Sequence, residues 1–144
     1  MRGVFEKLRR ALSVLALLGN AFSMPAAGPP AFVVHGPTII AFFPQVTQKQ
    51  VDSDPELSEA LGDFQYYATE AAEQLRKAGI TFRQVFAPSF RVRLGTSVIT
   101  FRPGKAQSGY YFVAPGKKPR IEYGVIADVG LFQIARDYFR IGVE

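Results

Sequence analysis

A long amphipathic helix, predicted over residues 55–78, constrains the fold of this chain more than any other segment. Eight apolar side chains recur there at three- and four-residue spacing, the pattern of one buried helix face. They are Leu57, Leu61, Phe64, Tyr67, Ala68, Ala71, Leu75 and Ala78. Asp54 or Ser53 can cap the start and Gly79 can close the end. Such a helix would be roughly 36 Å long, enough to cross a small domain.

Two segments that flank this helix have the composition of strands. Residues 38–43 are a continuous apolar run, which predicts a central strand covered on both faces. Residues 80–86 are rich in β-forming side chains, and residues 45–53 are polar and predict a loop. Strand, helix and strand in this order predict a right-handed crossover with the two strands parallel.

The second half of the chain predicts further strands and one more helix. Phe90, Val92 and Leu94 alternate with arginines, which indicates a strand, with a short helical turn as the alternative. Residues 98–101 and 110–113 flank a Pro-Gly-Lys turn and predict a β-hairpin. Residues 120–123 form a short further run, and Asp128 can cap a helix that continues to Phe139.

Together these elements predict an α/β fold, a single domain over residues 36–144. It has a mixed sheet of four or five strands, the long helix across one face, and the C-terminal helix beside it or opposite. The alternative is an α+β fold in which an antiparallel sheet curls on one helix. In that fold, residues 38–43 would have an antiparallel neighbour and would not lie parallel to residues 80–86.

The N-terminal residues have the layout of a secretory signal peptide. Four basic residues within the first ten precede an apolar run at residues 11–18, and small residues follow. We expect a signal peptide over residues 1–23, a flexible lead-in over 24–35 with an edge strand from Ala31 to His35, and export to the periplasm or the medium. Because the leader carries much of the net charge of +5, that charge does not predict nucleic-acid binding. No segment of the mature chain is long and apolar enough to predict a membrane span.

The order strand, helix, strand, connector, hairpin, helix resembles the thioredoxin-like fold over residues 36–139. Residues 36–44 are similar to the first central strand of that family, and residues 98–113 and the helix from Asp128 to its closing half. The resemblance implies a redox motif, Cys-x-x-Cys, between the first strand and the long helix. The chain contains no cysteine, so thiol–disulfide exchange is excluded. Pro88 and Pro103 do not match the family's cis-proline, and residues 88–94 leave little room for its second helix.

Candidate catalytic and metal-binding residues are few. His35, the single histidine, can act as a general base, but a structural role at a strand end is the simpler interpretation. Asp52, Asp54, Glu56 and Glu59 form an acidic cluster that lacks the glycine of a calcium loop, and such residues are favoured at a helix N-terminus. The sequence therefore predicts no catalytic residue, no metal site and no cofactor.

A basic and aromatic group in the second half is the candidate binding site. It comprises Arg91, Arg93, Arg102, Lys105, Tyr110, Tyr111, Lys117, Lys118 and Arg120. Such a surface could bind an envelope protein or another acidic partner. The other interpretation is that these are solvated strand faces and turn lysines, which discourage edge aggregation.

These observations predict a non-catalytic, redox-inactive binding or scaffold module of the cell envelope, with no nucleic-acid partner. The alternative function is a small hydrolase or a small-ligand-binding protein that uses a cleft near His35.

Overall fold

The computed structural model describes residues 28–104 and 106–141, so the predicted signal peptide lies outside the described residues. Over this part of the chain there are seven strands and three helices. In chain order they are β1 (Ala31–Val33), β2 (Thr38–Phe43), α1 (Gln48–Ser53), α2 (Pro55–Lys77), β3 (Thr81–Phe86), β4 (Phe90–Leu94), β5 (Ser97–Phe101), β6 (Gly109–Val113), β7 (Arg120–Tyr123) and α3 (Asp128–Phe139). Strand β1 lies inside the predicted lead-in, so the described fold begins before residue 36.

Helix α2 forms where the apolar periodicity predicts it. The Asp54 carboxylate caps its start by accepting hydrogen bonds from the backbone N–H groups of Glu56 and Leu57, at 3.1 and 3.2 Å. Gly79 follows its end with a φ of +83°, the left-handed conformation that glycine adopts readily.

The segment predicted as a polar loop contains the short helix α1. Thr47 and Gln50 form a capping box, in which the Thr47 hydroxyl accepts from the Gln50 N–H and the Gln50 side chain accepts from the Thr47 N–H. Val51 is the buried residue of this helix. The loop prediction was wrong because it rested on polarity, and the capping pattern is the stronger signal.

The strands form two sheets, whereas the sequence predicted one mixed sheet of four or five strands. The larger sheet has the order β3-β2-β6-β7, in which β2 is parallel to β3 and the other neighbours are antiparallel. The smaller sheet has the order β1-β4-β5, with β1 parallel to β4 and β4 antiparallel to β5. The predicted parallel pair is therefore present, and the antiparallel neighbour of β2 is β6.

The hairpin predicted between residues 98–101 and 110–113 does not form. Strand β5 pairs with β4 across a tight turn at Gly95, whose φ is +61°, and β6 pairs with β2 and β7 in the other sheet. The Pro-Gly dipeptide thus lies in a connection between sheets. A turn signal shows where the chain changes direction, but it does not show which strand pairs with which.

Strand β2 is buried on both faces because it lies between two apolar layers. Ile39, Ala41 and Phe43 pack in a cluster with the buried residues of α2 and α3. Ile40 and Phe42 face the smaller sheet, in a second cluster that contains the inward side chains of β4. The architecture is three layers: helices, the four-stranded sheet, and the three-stranded sheet.

Helices α2 and α3 lie on the same face of the four-stranded sheet. Leu131, Ala135 and Tyr138 of α3 belong to the same buried cluster as Leu61 and Phe64 of α2. Of the two predicted positions for the C-terminal helix, the structure has it beside α2. Its N-cap residue is Ala127, which has no side-chain hydrogen bond, so Asp128 is the first helical residue and does not cap the helix.

Candidate functional site

The nine predicted binding residues do not form one surface. Arg91 and Arg93 lie on β4, and the exposed Arg102 directly follows β5. Tyr110 and Tyr111 lie on β6, while Lys117, Lys118 and Arg120 lie in the β6–β7 turn and at the start of β7. Lys105 lies outside the described residues. The two sheets separate these groups into different layers.

The two tyrosines belong to the core and not to a surface. Tyr110 and Tyr111 are 0% and 2% exposed. The Tyr110 hydroxyl donates to the Ile126 carbonyl at 3.3 Å and accepts from the Ile126 N–H at 3.2 Å. Burial of the phenol is the main cause that raises the pKa of Tyr110 to about 12. Burial also raises the pKa of Tyr111, whose ring packs against Phe90 and Phe101. Both side chains face apolar layers because β6 is a central strand.

Much of the positive charge at the β6–β7 turn is engaged by contacts with α3. The Lys117 ammonium donates to the Tyr138 carbonyl and lies 4.4 Å from the centre of the Tyr138 ring. The Tyr138 hydroxyl donates to the carbonyl of Lys118 at 2.7 Å. These contacts hold the β6–β7 turn against α3, so Lys117 has a structural role.

Arg120 is paired with two carboxylates. Its Nε lies 2.9 Å from a Glu122 oxygen and its Nη1 lies 2.9 Å from an Asp137 oxygen. The hydrogen bond to Glu122 is the largest cause of a raised pKa for Arg120. A guanidinium with two carboxylate partners presents little free charge to a protein partner, which argues against Arg120 as a binding residue.

The outer face of the three-stranded sheet keeps two of the predicted arginines together. The register places Ala31, Arg91 and Thr100 in one row across the sheet. It places Val33, Arg93 and Val98 in the next row. We call these six residues the arginine face; none of them is acidic. Alternation with apolar residues in the sequence is enough to place both arginines on one face of β4. The neighbouring valines lie on β1 and β5, so they can be identified only from the strand register.

Exposure and contacts distinguish the two arginines of this face. Arg93 is exposed, and the valines beside it, Val33 and Val98, are 59% and 52% exposed. Arg91 is half-buried: its Nη2 donates to the Pro29 carbonyl at 3.4 Å, and its buried Nε has no hydrogen-bond partner in the described part of the chain. Arg93 is therefore the accessible cation of this face, whereas Arg91 is hydrogen-bonded to the segment that leads into β1.

Among the described residues, two of the grooves lie away from the arginine face. One has a volume of about 500 Å³ and is lined by Arg120, Gln133, Ile134, Arg136 and Asp137. The other has a volume of about 400 Å³ and lies beside β3. His35 is exposed in the connection from β1 to β2 and lines neither groove. Within residues 28–104 and 106–141, no three carboxylate or imidazole side chains come together as a metal site.

Comparisons of this chain with protein-family models, curated proteins and solved structures found no significant match. No helix among the described residues is long and apolar enough to cross a membrane.

Proposed function

We propose that this chain is an exported, non-catalytic and redox-inactive binding module of the cell envelope, which binds an acidic protein partner through the arginine face. The observation that carries the proposal is the row Val33, Arg93 and Val98, where one accessible cation lies between two exposed apolar side chains. Arginine is enriched in protein interfaces, and the buried centre of an interface is more apolar than the rest of the surface.

Charge favours an acidic partner for this face. With two arginines and no acidic residue, the face is positive and its cations have no carboxylate on the face itself. An arginine binds a carboxylate through two parallel hydrogen bonds, which gives both affinity and orientation. The flanking valines exclude water from such a pair and strengthen it.

We further propose that the fold is thioredoxin-like. The element order β2, α2, β3, then the β6–β7 hairpin and α3, supports this, since it follows the order that the resemblance implies. In the connector, where the family has its second helix, this chain has β4 and β5, and these strands build the arginine face. The module would then have a binding sheet in place of the family's second helix, and it lacks the cysteines of the redox motif.

The export part of the proposal rests on the basic and apolar leader. Its test is the N-terminus of the protein recovered from its host, determined by mass spectrometry. A mature chain that begins at Met24 in the envelope or secreted fraction is the expected result. A chain that keeps its first residues in the cytosol would refute export.

The binding part is tested by reversing one charge. We expect Arg93→Glu to weaken binding of the partner by at least about tenfold, because a like charge then faces the partner's carboxylates. The control is Lys49→Glu, the same change of charge at an exposed position on α1, in the helix layer.

Partners are captured from the host's envelope fraction after brief crosslinking, and affinity is then measured with the purified partner. A partner lost with Arg93→Glu and kept with Lys49→Glu is the expected result. Equal capture by both variants would place the site elsewhere, and no partner above background would refute the binding-module proposal.

A further inference from the structure

Strand β3 ends the four-stranded sheet and has an open edge. It is hydrogen-bonded to β2 on one side, and no described strand pairs with its other side. The Thr81 N–H donates to the Pro37 carbonyl at 2.9 Å, and Thr81 lies opposite Thr38. In a parallel ladder, the backbone groups of alternate residues point to the same neighbour. The backbone N–H and C=O groups of Thr81 and of every second residue after it therefore face β2. The same groups of Phe82, Gln84 and Phe86 face the open edge.

The groove of about 400 Å³ runs beside the first half of this strand. It is lined by Arg76, Gly79, Ile80, Thr81, Phe82 and Arg83. Arg76 comes from the last turn of α2, in the helix layer. Arg83 lies on the opposite face of the strand, which it shares with Val85 of the second apolar cluster. The groove thus has one arginine on each side of a hydrogen-bonding edge.

Neither arginine is neutralised within the described part of the molecule. The described ion pairs involve Lys77 with Glu73, and Arg120 with Glu122 and Asp137. Arg76 and Arg83 have no carboxylate at ion-pair distance among residues 28–104 and 106–141. Unlike Arg120, both cations can pair with a carboxylate from another molecule.

We propose that the β3 edge binds an extended, acidic peptide segment of a partner protein as an additional strand. In this mode of recognition, main-chain hydrogen bonds supply affinity and side chains at the edge supply specificity. The outward groups of Phe82, Gln84 and Phe86 are the main-chain partners. This surface belongs to the larger sheet and is distinct from the arginine face.

Strand geometry specifies the spacing of the acidic residues. Successive side chains of a strand point to opposite faces of the sheet. Two adjacent acidic residues therefore direct one carboxylate toward Arg76 and the other toward Arg83. Acidic residues two positions apart would both lie on one face and reach only one of the arginines.

Charge also distinguishes this occupant from a second copy of the chain. Two β3 edges paired with each other would bring two copies of Arg76 and Arg83 into adjacent grooves. Like charges at that distance are unfavourable across strands and across interfaces. The edge therefore suits an acidic segment better than it suits itself.

The test uses the purified protein and a dye-labelled hexapeptide, Thr-Val-Glu-Glu-Val-Thr, with binding followed by fluorescence anisotropy. We expect saturable binding that weakens at least about tenfold when both glutamates are replaced by glutamine. We expect a similar loss when the peptide carries N-methyl groups on alternate backbone nitrogens, because these block the ladder. The N-methylated peptides leave the protein unchanged.

Two variants of Gln84 test the edge from the side of the protein. The Gln84 side chain accepts a hydrogen bond from Gln65 at 2.9 Å, which both Gln84→Ala and Gln84→Pro remove. Only proline also removes the outward N–H, and proline is tolerated on edge strands. We expect Gln84→Ala to bind the peptide like the wild-type chain and Gln84→Pro to bind at least about tenfold more weakly.

Three results would overturn the proposal. One is the absence of saturable peptide binding. Another is equal binding by the N-methylated and parent peptides, which would indicate a purely ionic contact. The third is a dimer of the wild-type chain, seen by sedimentation, that Gln84→Pro dissociates, because the edge would then serve self-association.

Discussion

Removal of the Tyr110 hydroxyl group should change the stability of the fold in a direction that depends on pH. The side chain is 0% exposed, and its hydroxyl holds both backbone groups of Ile126. Tyr110→Phe removes these two hydrogen bonds and leaves the ring in place. At neutral pH we expect a loss of about 1.5 kcal/mol in the free energy of unfolding, since Ile126 loses its partner in a partly buried site.

Alkaline pH should reverse this difference. Burial raises the pKa of Tyr110 from 10.0 to about 12. Above pH 10 the unfolded chain releases the phenolic proton while the folded chain still holds it, so wild-type stability falls as pH rises toward 12. At about pH 11 the loss from this one group is roughly 1.4 kcal/mol. The Tyr110→Phe variant has no such loss, so the two stability curves should cross near this pH.

The assay is urea denaturation of both proteins from pH 8 to about pH 11.5, followed by circular dichroism. Other buried tyrosines titrate in both proteins and cancel in the difference. Tyr123→Phe is the neutral-pH control, because Tyr123 is 55% exposed, and it should change stability by less than about 0.5 kcal/mol. Wild-type and Tyr110→Phe curves that stay parallel up to the highest pH would refute a burial-raised pKa at this position.

Two further predictions concern backbone packing and helix capping. A Cβ at Gly109 would lie 2.4 Å from a backbone carbonyl oxygen of β7, so Gly109→Ala should destabilise the fold by about 3 kcal/mol. A Cβ at Gly36 meets nothing within 4 Å, and Gly36→Ala is the control; equal urea midpoints for the two would contradict the packing argument. Asp54→Ala should cost about 1 kcal/mol, because two N–H groups of α2 lose their acceptor. Asp52→Ala is its exposed control, and equal losses in thermal melts would show that capping is not the cause.

The chain's local patterns were sufficient for several elements. The periodicity over residues 55–78 predicted α2 to within one residue of its end. The continuous apolar run predicted that β2 is covered on both faces, and the crossover rule predicted that it is parallel to β3. These predictions succeed because the burial of a helix or a strand is encoded in consecutive residues.

Less of the candidate site than of the fold could be predicted from the sequence. Alternation with apolar residues correctly marked Arg91 and Arg93 as outward side chains of a strand. The prediction that Tyr110 and Tyr111 belong to a binding surface was wrong, since both side chains are buried. Two adjacent aromatic residues in a sequence do not show whether both faces of their strand are covered. The charge of Arg120 is engaged by Asp137, which lies 17 positions further along the chain.

Sequence patterns alone were sufficient to predict the long helix, the doubly covered strand and their parallel crossover, and the lack of cysteine excluded thiol chemistry. Each of these depends on composition, on periodicity within one segment or on the order of neighbouring segments. The folded molecule was needed to show that β4 and β5 lie outside the central sheet and form a second sheet with β1. Strand pairing and register depend on which distant segments complete a common apolar layer, and neither is a local property of a chain. The pairing of β1, β4 and β5 brings Val33, Arg93 and Val98 together. The β3 edge of the larger sheet is left without a strand partner among the described residues, beside Arg76 and Arg83.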